Sequence, residues 1–257
     1  MVMDVQERVV VISGAASGLG EACARLFVQN RAMVSLLDIE EERGEKLASE
    51  LGPSAIFCKT DVTDEQSVQI AIEKTVDTFG AIHVAISCAG VSYGAKVLGK
   101  NGKISMGGFK KVIQIDLMGT MHVIRSAAEQ MLKNAPNEDG EKGVVLNTSS
   151  GAAWEGQVGQ SAYSASKAAL VGMTLPIARE FADYGIRVVT IAPGLFETPM
   201  VAGISETVKE SLIGQLLFPK RMARPIEFAI LAQHIVENPM LNGRTIRLDG
   251  GCTMQAR

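Results

Sequence analysis

Apolar and polar positions alternate along this chain in a regular two-part rhythm. A β-branched run at 8–13 has the pattern of a buried strand. A glycine-rich turn follows at once. Residues 21–30 then carry apolar side chains at helical spacing through Ala22, Ala24, Leu26, Phe27 and Val28. The same unit recurs: strand 32–37 and helix 39–51, strand 54–58 and a helix ending at Phe79, then strand 82–87. Residues 109–133 read as one long amphipathic helix, 143–146 as a strand, and 186–192 as another. Between the last two lies a helix running to about Asp183, with Pro176 expected to kink or disturb it. A helix at 226–236 and a strand at 244–248 close the pattern. Strands alternating with helices at short spacing predict an α/β fold, a doubly wound parallel sheet with right-handed crossovers.

Two stretches break the rhythm. Residues 91–108 hold Gly94, Gly99, Gly102, Gly107 and Gly108 together with Lys96, Lys100 and Lys103. They read as a solvated surface loop, or as a rim that meets a phosphate-bearing substrate. Residues 195–220 are rich in Met, Leu, Ile and Val and read as a helical lid over an apolar pocket, or equally as ordinary core helices. No linker, repeat or composition shift divides the chain, so 1–257 is expected to be a single domain.

Composition narrows the function classes. Hydrophobic residues make up 47% and charged residues 21%, which suits a soluble globular protein. A net charge of −3 supplies no general pull toward nucleic acid or an anionic membrane. Cys23, Cys58, Cys88 and Cys252 lack CxxC spacing, and His83, His122 and His234 lack metal-binding neighbours, so neither disulfides nor a metal site is expected. No apolar run reaches the ~20 residues of a membrane span. Residues 1–8 do not have the pattern of a signal peptide, so a cytoplasmic location is expected.

Against this background the first turn acquires a chemical meaning. Gly14, Gly18 and Gly20, with Ser17 and Leu19 among them, stand between a strand and a helix. That context lets a backbone approach a pyrophosphate and offers it the free N–H groups and positive end of a helix. Asp38 ends the second strand 18 residues after Gly20, near the position of the acid that binds the adenosine ribose. A carboxylate there accepts from both ribose hydroxyls and repels a 2′-phosphate, which favours NAD over NADP. It could equally cap the helix that follows. Asp61 and Val62 are candidates for the adenine amino group and ring face. Cys88, Ala89 and Gly90, small residues after the fourth strand, would let the backbone approach a bound cofactor.

The second half supplies proton chemistry. Tyr163 and Lys167 lie four apart in a helical segment, so they share one face. A free phenol has a pKa near ~10. A neighbouring ammonium favours the phenolate and makes such a pair a plausible general acid and base. Ser150, 13 residues before the tyrosine, ends a buried strand and could hydrogen-bond a carbonyl or alkoxide oxygen. An aromatic core residue beside a solvated lysine would have the same spacing, so the pair acquires weight only from its context.

In order along the chain, Gly14-xxx-Gly18-x-Gly20, Asp38, Asp61, Cys88-Ala89-Gly90, Ser150, Tyr163-xxx-Lys167, Pro193-Gly194 and Thr198 resemble the short-chain dehydrogenase/reductase family over essentially the whole length. The strings 155–160, 163–167, 171–179, 190–196 and 237–243 are similar to the branch that acts on 3-hydroxyacyl-CoA thioesters. The resemblance implies a Rossmann-type fold with helices on both faces. It also implies NAD-dependent interconversion of a 3-hydroxyacyl-CoA and a 3-oxoacyl-CoA, and a homotetramer. Animal members are mitochondrial. Tyr163 is implied as general acid/base, Lys167 as its partner and a ligand of the nicotinamide ribose, and Ser150 as holder of the reacting oxygen. Thr198, with Pro193, Gly194 and Phe196, would line the nicotinamide side. Gln157 is a candidate for the substrate pocket.

One position departs from the family. Asp116 stands where the family has asparagine, which kinks a helix and holds a water near the lysine. An ionised carboxylate can accept from water and cannot donate, so activity with an altered pH–rate profile is expected. Alternatives within the family are a 3-oxoacyl-carrier-protein reductase and a hydroxysteroid or other secondary-alcohol dehydrogenase. Outside it stands a cofactor-binding scaffold without turnover.

Overall fold

The computed structural model describes residues 3–98 and 106–256. Seven strands form one parallel sheet in the order β3-β2-β1-β4-β5-β6-β7. They are β1 (Val9–Ser13), β2 (Met33–Asp38), β3 (Ala55–Lys59), β4 (Val84–Ser87), β5 (Gly143–Thr148), β6 (Ile186–Pro193) and β7 (Thr245–Leu248). The order reverses between β1 and β4. In such sheets the carboxyl ends of the strands at this reversal open a crevice for ligand. The predicted doubly wound sheet is present as a single domain.

Helices cover both faces. On one lie α1 (Gly18–Gln29), α2 (Glu41–Leu51) and α9 (Pro225–Glu237); α1 and α9 pack on each other. Phe27 and Phe228 are fully buried in that layer with Ile12 and Leu36. On the other face lie α3 (Glu65–Phe79), α5 (Thr120–Met131) and α7 (Ser161–Ala182), packed over Val11, Ile72, Val145 and Val188. Each such side chain contributes ~1.5–3 kcal/mol on burial. The near-continuous β-branched runs follow from this double covering, since strands buried on both faces need not alternate. Asp64, rather than Thr63, caps α3 by accepting from Gln66 N at 3.0 Å.

Three elements differ from the periodicity. The helix expected over 109–133 is α4 (Met106–Val112), a π-helical segment (Ile113–Gly119) and α5. A π segment carries an extra residue per turn and often marks a functional site; here it carries Asp116. Next, α7 runs unbroken through Pro176, because its packing against β5 and β6 outweighs one missing N–H bond. The region 195–220 is only partly helical. It holds a single turn (Pro199–Val201) and α8 (Glu206–Gly214), with a short α6 (Ala152–Glu155) lying nearer the middle of the chain. Of the glycine- and lysine-rich stretch, 91–98 has no regular structure, and Gly99, Lys100, Gly102 and Lys103 lie outside the described residues.

Candidate active site

At the carboxyl edge of β1 the chain turns tightly into α1. Gly14 has φ of +66° and lies against β4's exit: a Cβ there would meet Ala89 N at 2.6 Å. Gly18 has φ of +57° and faces Thr198, whose Cβ would be 3.4 Å from an added methyl. Ser17 precedes α1 and makes no side-chain cap. The first N–H groups of α1 therefore keep their donors for an anion. A glycine cradle, an uncapped helix end and a close opposite wall at Thr198 fit a dinucleotide pyrophosphate.

Asp38 both shapes this turn and borders it. Its Oδ2 accepts from Ala16 N at 2.8 Å and its Oδ1 from Glu40 N at 3.1 Å. The cap of α2 is Glu40, not Asp38. Asp61 is exposed, and its Oδ1 accepts from Thr63 N and Oγ1 at 2.9 and 2.7 Å. Val62 is buried against Gly119, and its carbonyl bonds His122 Nδ1 at 2.9 Å. Cys88 is half-buried, with Sγ 3.5 Å from Thr148 Oγ1. Its thiol is held below the ordinary range by a hydrogen bond from Cys23, aided by Thr148 and the Lys167 charge. Burial pushes the Cys23 thiol well up.

The proton-transfer residues gather behind that cradle. Lys167 sits on the first half of α7, 4% exposed. Its Nζ donates to Thr148 O at 3.0 Å, stands 3.4 Å from Asp116 Oδ2, and lies 5.6 Å from the centre of the Tyr163 ring. Asp116 is fully buried. It is held by Val91 N, which donates to Oδ1 at 2.8 Å, and by Ser166 Oγ at 3.3 Å from Oδ2. The Asp116 main-chain carbonyl accepts from Thr120 Oγ1 at 2.8 Å. Gly90 completes the enclosure, since a Cβ there would come 3.3 Å from Lys167 Nζ and 3.5 Å from Asp116 Oδ1. A buried cation is thus neutralised by a buried anion, with hydrogen bonds on both partners, as low dielectric requires.

Ser150 follows β5, and its Oγ accepts from Ala152 N at 3.2 Å. Ser149 Oγ donates to Lys167 O at 2.8 Å, and Gly151 N to Pro193 O at 3.1 Å, which ties the serine turn to α7 and to the end of β6. Gly194 N donates to Leu248 O. Phe196 packs its ring edge-on to Phe228 in the core, so what it offers the cleft is main chain. Gln157 lies apart from this cluster and donates from Nε2 to Gln255 O at 3.1 Å. Thr148, Ser149, Ser166 and Val91 N escaped the sequence reading. Main-chain groups and serines carry no spacing signal of their own.

The sequence matches the short chain dehydrogenase family over residues 8–209. The chain belongs to the short chain dehydrogenase family. Among relatives of this family, human 3-hydroxyacyl-CoA dehydrogenase type-2 is 48% identical over 253 residues, covering 98% of this chain and 97% of the relative. The Drosophila melanogaster protein of the same name is 45% identical, covering 97% and 99%. The crystal structure of 3-hydroxyacyl-CoA dehydrogenase type-2 from Mycobacterium avium superposes with a TM-score of 0.94 at 38% identity, covering 98% of each chain. A 3-ketoacyl-(acyl-carrier-protein) reductase from Brucella melitensis complexed with NADH gives 0.86 at 25% identity, covering 98% of this chain and 100% of that one. This short chain dehydrogenase is therefore an oxidoreductase with a nicotinamide dinucleotide cofactor. Among its described residues no helix is long and apolar enough to cross a membrane.

Proposed function

We propose that this protein interconverts a 3-hydroxyacyl-CoA and a 3-oxoacyl-CoA with NAD. The observation that carries the reading is the Tyr163–Lys167 pair, backed by Asp116 and Thr148 O, beside a dinucleotide cradle. Relatives at nearly half identity, named for this chemistry, support the substrate class. Gly14, Ser17, Gly18, Leu19 and Gly20 would hold the pyrophosphate. Asp38, Asp61 and Val62 would hold the adenosine, and Cys88, Ala89, Gly90, Pro193, Gly194, Phe196 and Thr198 the nicotinamide half. When bound, the nicotinamide supplies the hydride acceptor or donor. Asp38 supports NAD over NADP through its fixed negative charge at the ribose end.

In the oxidative direction Ser150 Oγ and Tyr163 hold the substrate hydroxyl, and Tyr163 takes its proton. Lys167 stabilises the resulting phenolate and orients the ribose. Its own position is fixed by Thr148 O and Asp116. A homotetramer and a place in acyl-CoA metabolism belong to the same proposal, the first checked by sedimentation. A second reading, reduction of 3-oxoacyl-carrier-protein, draws on the Brucella melitensis neighbours. Steady-state oxidation of short and branched 3-hydroxyacyl-CoA substrates with NAD tests the first reading. Tyr163→Phe should lower kcat by about 10²–10⁴, the usual share of general acid–base catalysis, and keep NADH binding. Faster turnover of acyl-carrier-protein thioesters, or tighter binding of NADPH than NADH, would refute the corresponding part.

A further inference from the structure

Three segments distant in sequence are stitched together beside the first turn of α7, where Tyr163 stands. Segment 91–98 is joined to the stretch before α7 by Ala95 N, which donates to Gly159 O at 2.8 Å. That stretch, 155–159, is joined in turn to residues 252–256. Met254 N donates to Glu155 Oε2 at 3.0 Å, Gln157 Nε2 to Gln255 O at 3.1 Å, and Val158 N to Ala256 O at 3.1 Å. On its other side the same segment reaches the region after α8. Gln255 N donates to Gln215 Oε1 at 3.0 Å, and Leu217 N to Gly250 O at 3.1 Å.

Arg247 anchors the segment at its root. It pairs with Glu155 at 2.8 Å and Asp249 at 2.6 Å, donates to Cys252 O at 3.0 Å, and lies 5.5 Å from the centre of the Trp154 ring. Glu155 is held below the usual carboxylate range by the Arg247 guanidinium and by Met254 N. Apolar side chains stand exposed on each of the joined segments: Val97 and Leu98, Val158, and Leu217 with Phe218. The rim so formed is apolar in side chain and held in shape by hydrogen bonds, as a mouth for an aliphatic chain should be.

We infer that residues 252–256 form a wall of the substrate mouth and, by tying Gln157 to Gln215, determine which acyl chains the enzyme accepts. Gln157 then acts as a positioning residue, through the wall rather than on the reacting atoms. The inference rests on the acyl-CoA reading above and deepens it. Neither tie touches the cofactor cradle, so the expected effect is on chain-length preference and not on cofactor affinity.

Two proteins test it: a deletion of 252–257 and the double variant Gln157→Ala/Gln215→Ala, which keeps the whole chain. In each, kcat/KM is measured for a four-carbon and an eight-carbon 3-hydroxyacyl-CoA, beside NADH affinity. The ratio of the long to the short substrate should rise about tenfold, the lower end of what one methylene is worth in an apolar pocket. NADH affinity should stay at the wild-type value. A ratio equal to wild type in both proteins overturns the inference. If the wild-type enzyme turns over neither thioester, the acyl-CoA reading fails by itself. Hydrogen exchange of amides 206–217 then decides the wall: faster exchange in the double variant upholds the tie, and unchanged exchange overturns it.

Discussion

Replacing Asp116 by Asn removes one charge from the centre of the site and leaves its shape. The carboxylate stands 3.4 Å from Lys167 Nζ with both groups buried. At that separation and an effective dielectric of about 20, their attraction is about 5 kcal/mol before desolvation is counted. Asn can still accept from Val91 N, and Lys167 keeps Thr148 O. Part of the attraction is offset because an amide costs less to bury than a carboxylate. The net loss of stability is expected at about 3 kcal/mol, the low end for breaking a buried pair. The ammonium, no longer neutralised, then acts on the Tyr163 ring 5.6 Å away. Removing a negative charge roughly 9 Å from that ring changes the local electrostatic free energy by about 2 kcal/mol. The rising limb of the oxidation rate should therefore move about one unit toward lower pH, with kcat at its plateau retained. The assays are kcat/KM against pH with NAD and a 3-hydroxyacyl-CoA, and urea denaturation of both proteins. If Asp116→Asn leaves rate, pH profile and stability unchanged, the coupling of Asp116 to proton transfer is wrong.

Further outcomes are expected from the same physical terms. Gly14→Ala places a methyl 2.6 Å from Ala89 N at a positive φ, so NADH titration should show at least about a tenfold weaker affinity, about 1.4 kcal/mol; an unchanged affinity would remove Gly14 from the cradle. Arg187 donates to the carbonyls of Ile235, Val236, Asn238 and Leu241 and pairs with buried Glu141. Arg187→Met should cost about 3–5 kcal/mol in chemical denaturation, and Arg187→Met/Glu141→Gln less than the single change. His83 accepts from Val9 N and is held down to about 4 by burial and the Arg8 charge. Its folded state resists protonation, so its stabilising contribution is present above about pH 6.5 and lost as pH falls toward about 4. Linkage sets a ceiling of about 3 kcal/mol, and partial exposure of the ring reduces it to about 1–2 kcal/mol. Unfolding curves at pH 7.5 and 4.5 should differ less in His83→Gln than in the wild type; an equal difference would exclude His83 as the cause.

The sequence by itself determined the alternation of strands and helices, because burial on both faces writes itself as β-branched runs between amphipathic helices. It determined the Gly14–Gly20 turn and the shared face of Tyr163 and Lys167, since both are consequences of local geometry over a few residues. It also singled out Asp116 as a departure from the family. Only the tertiary structure decided what surrounds that acid. The π-helical segment turns Asp116 inward, and its partners Lys167, Ser166 and Val91 N come from elements separated in sequence. Likewise, nothing local marks Gln157 as a neighbour of Gln255, or Glu155 of Arg247. Periodicity reports which face of an element is buried. The identity of the group it meets depends on how the elements cross, and that is set by the packing of the whole sheet.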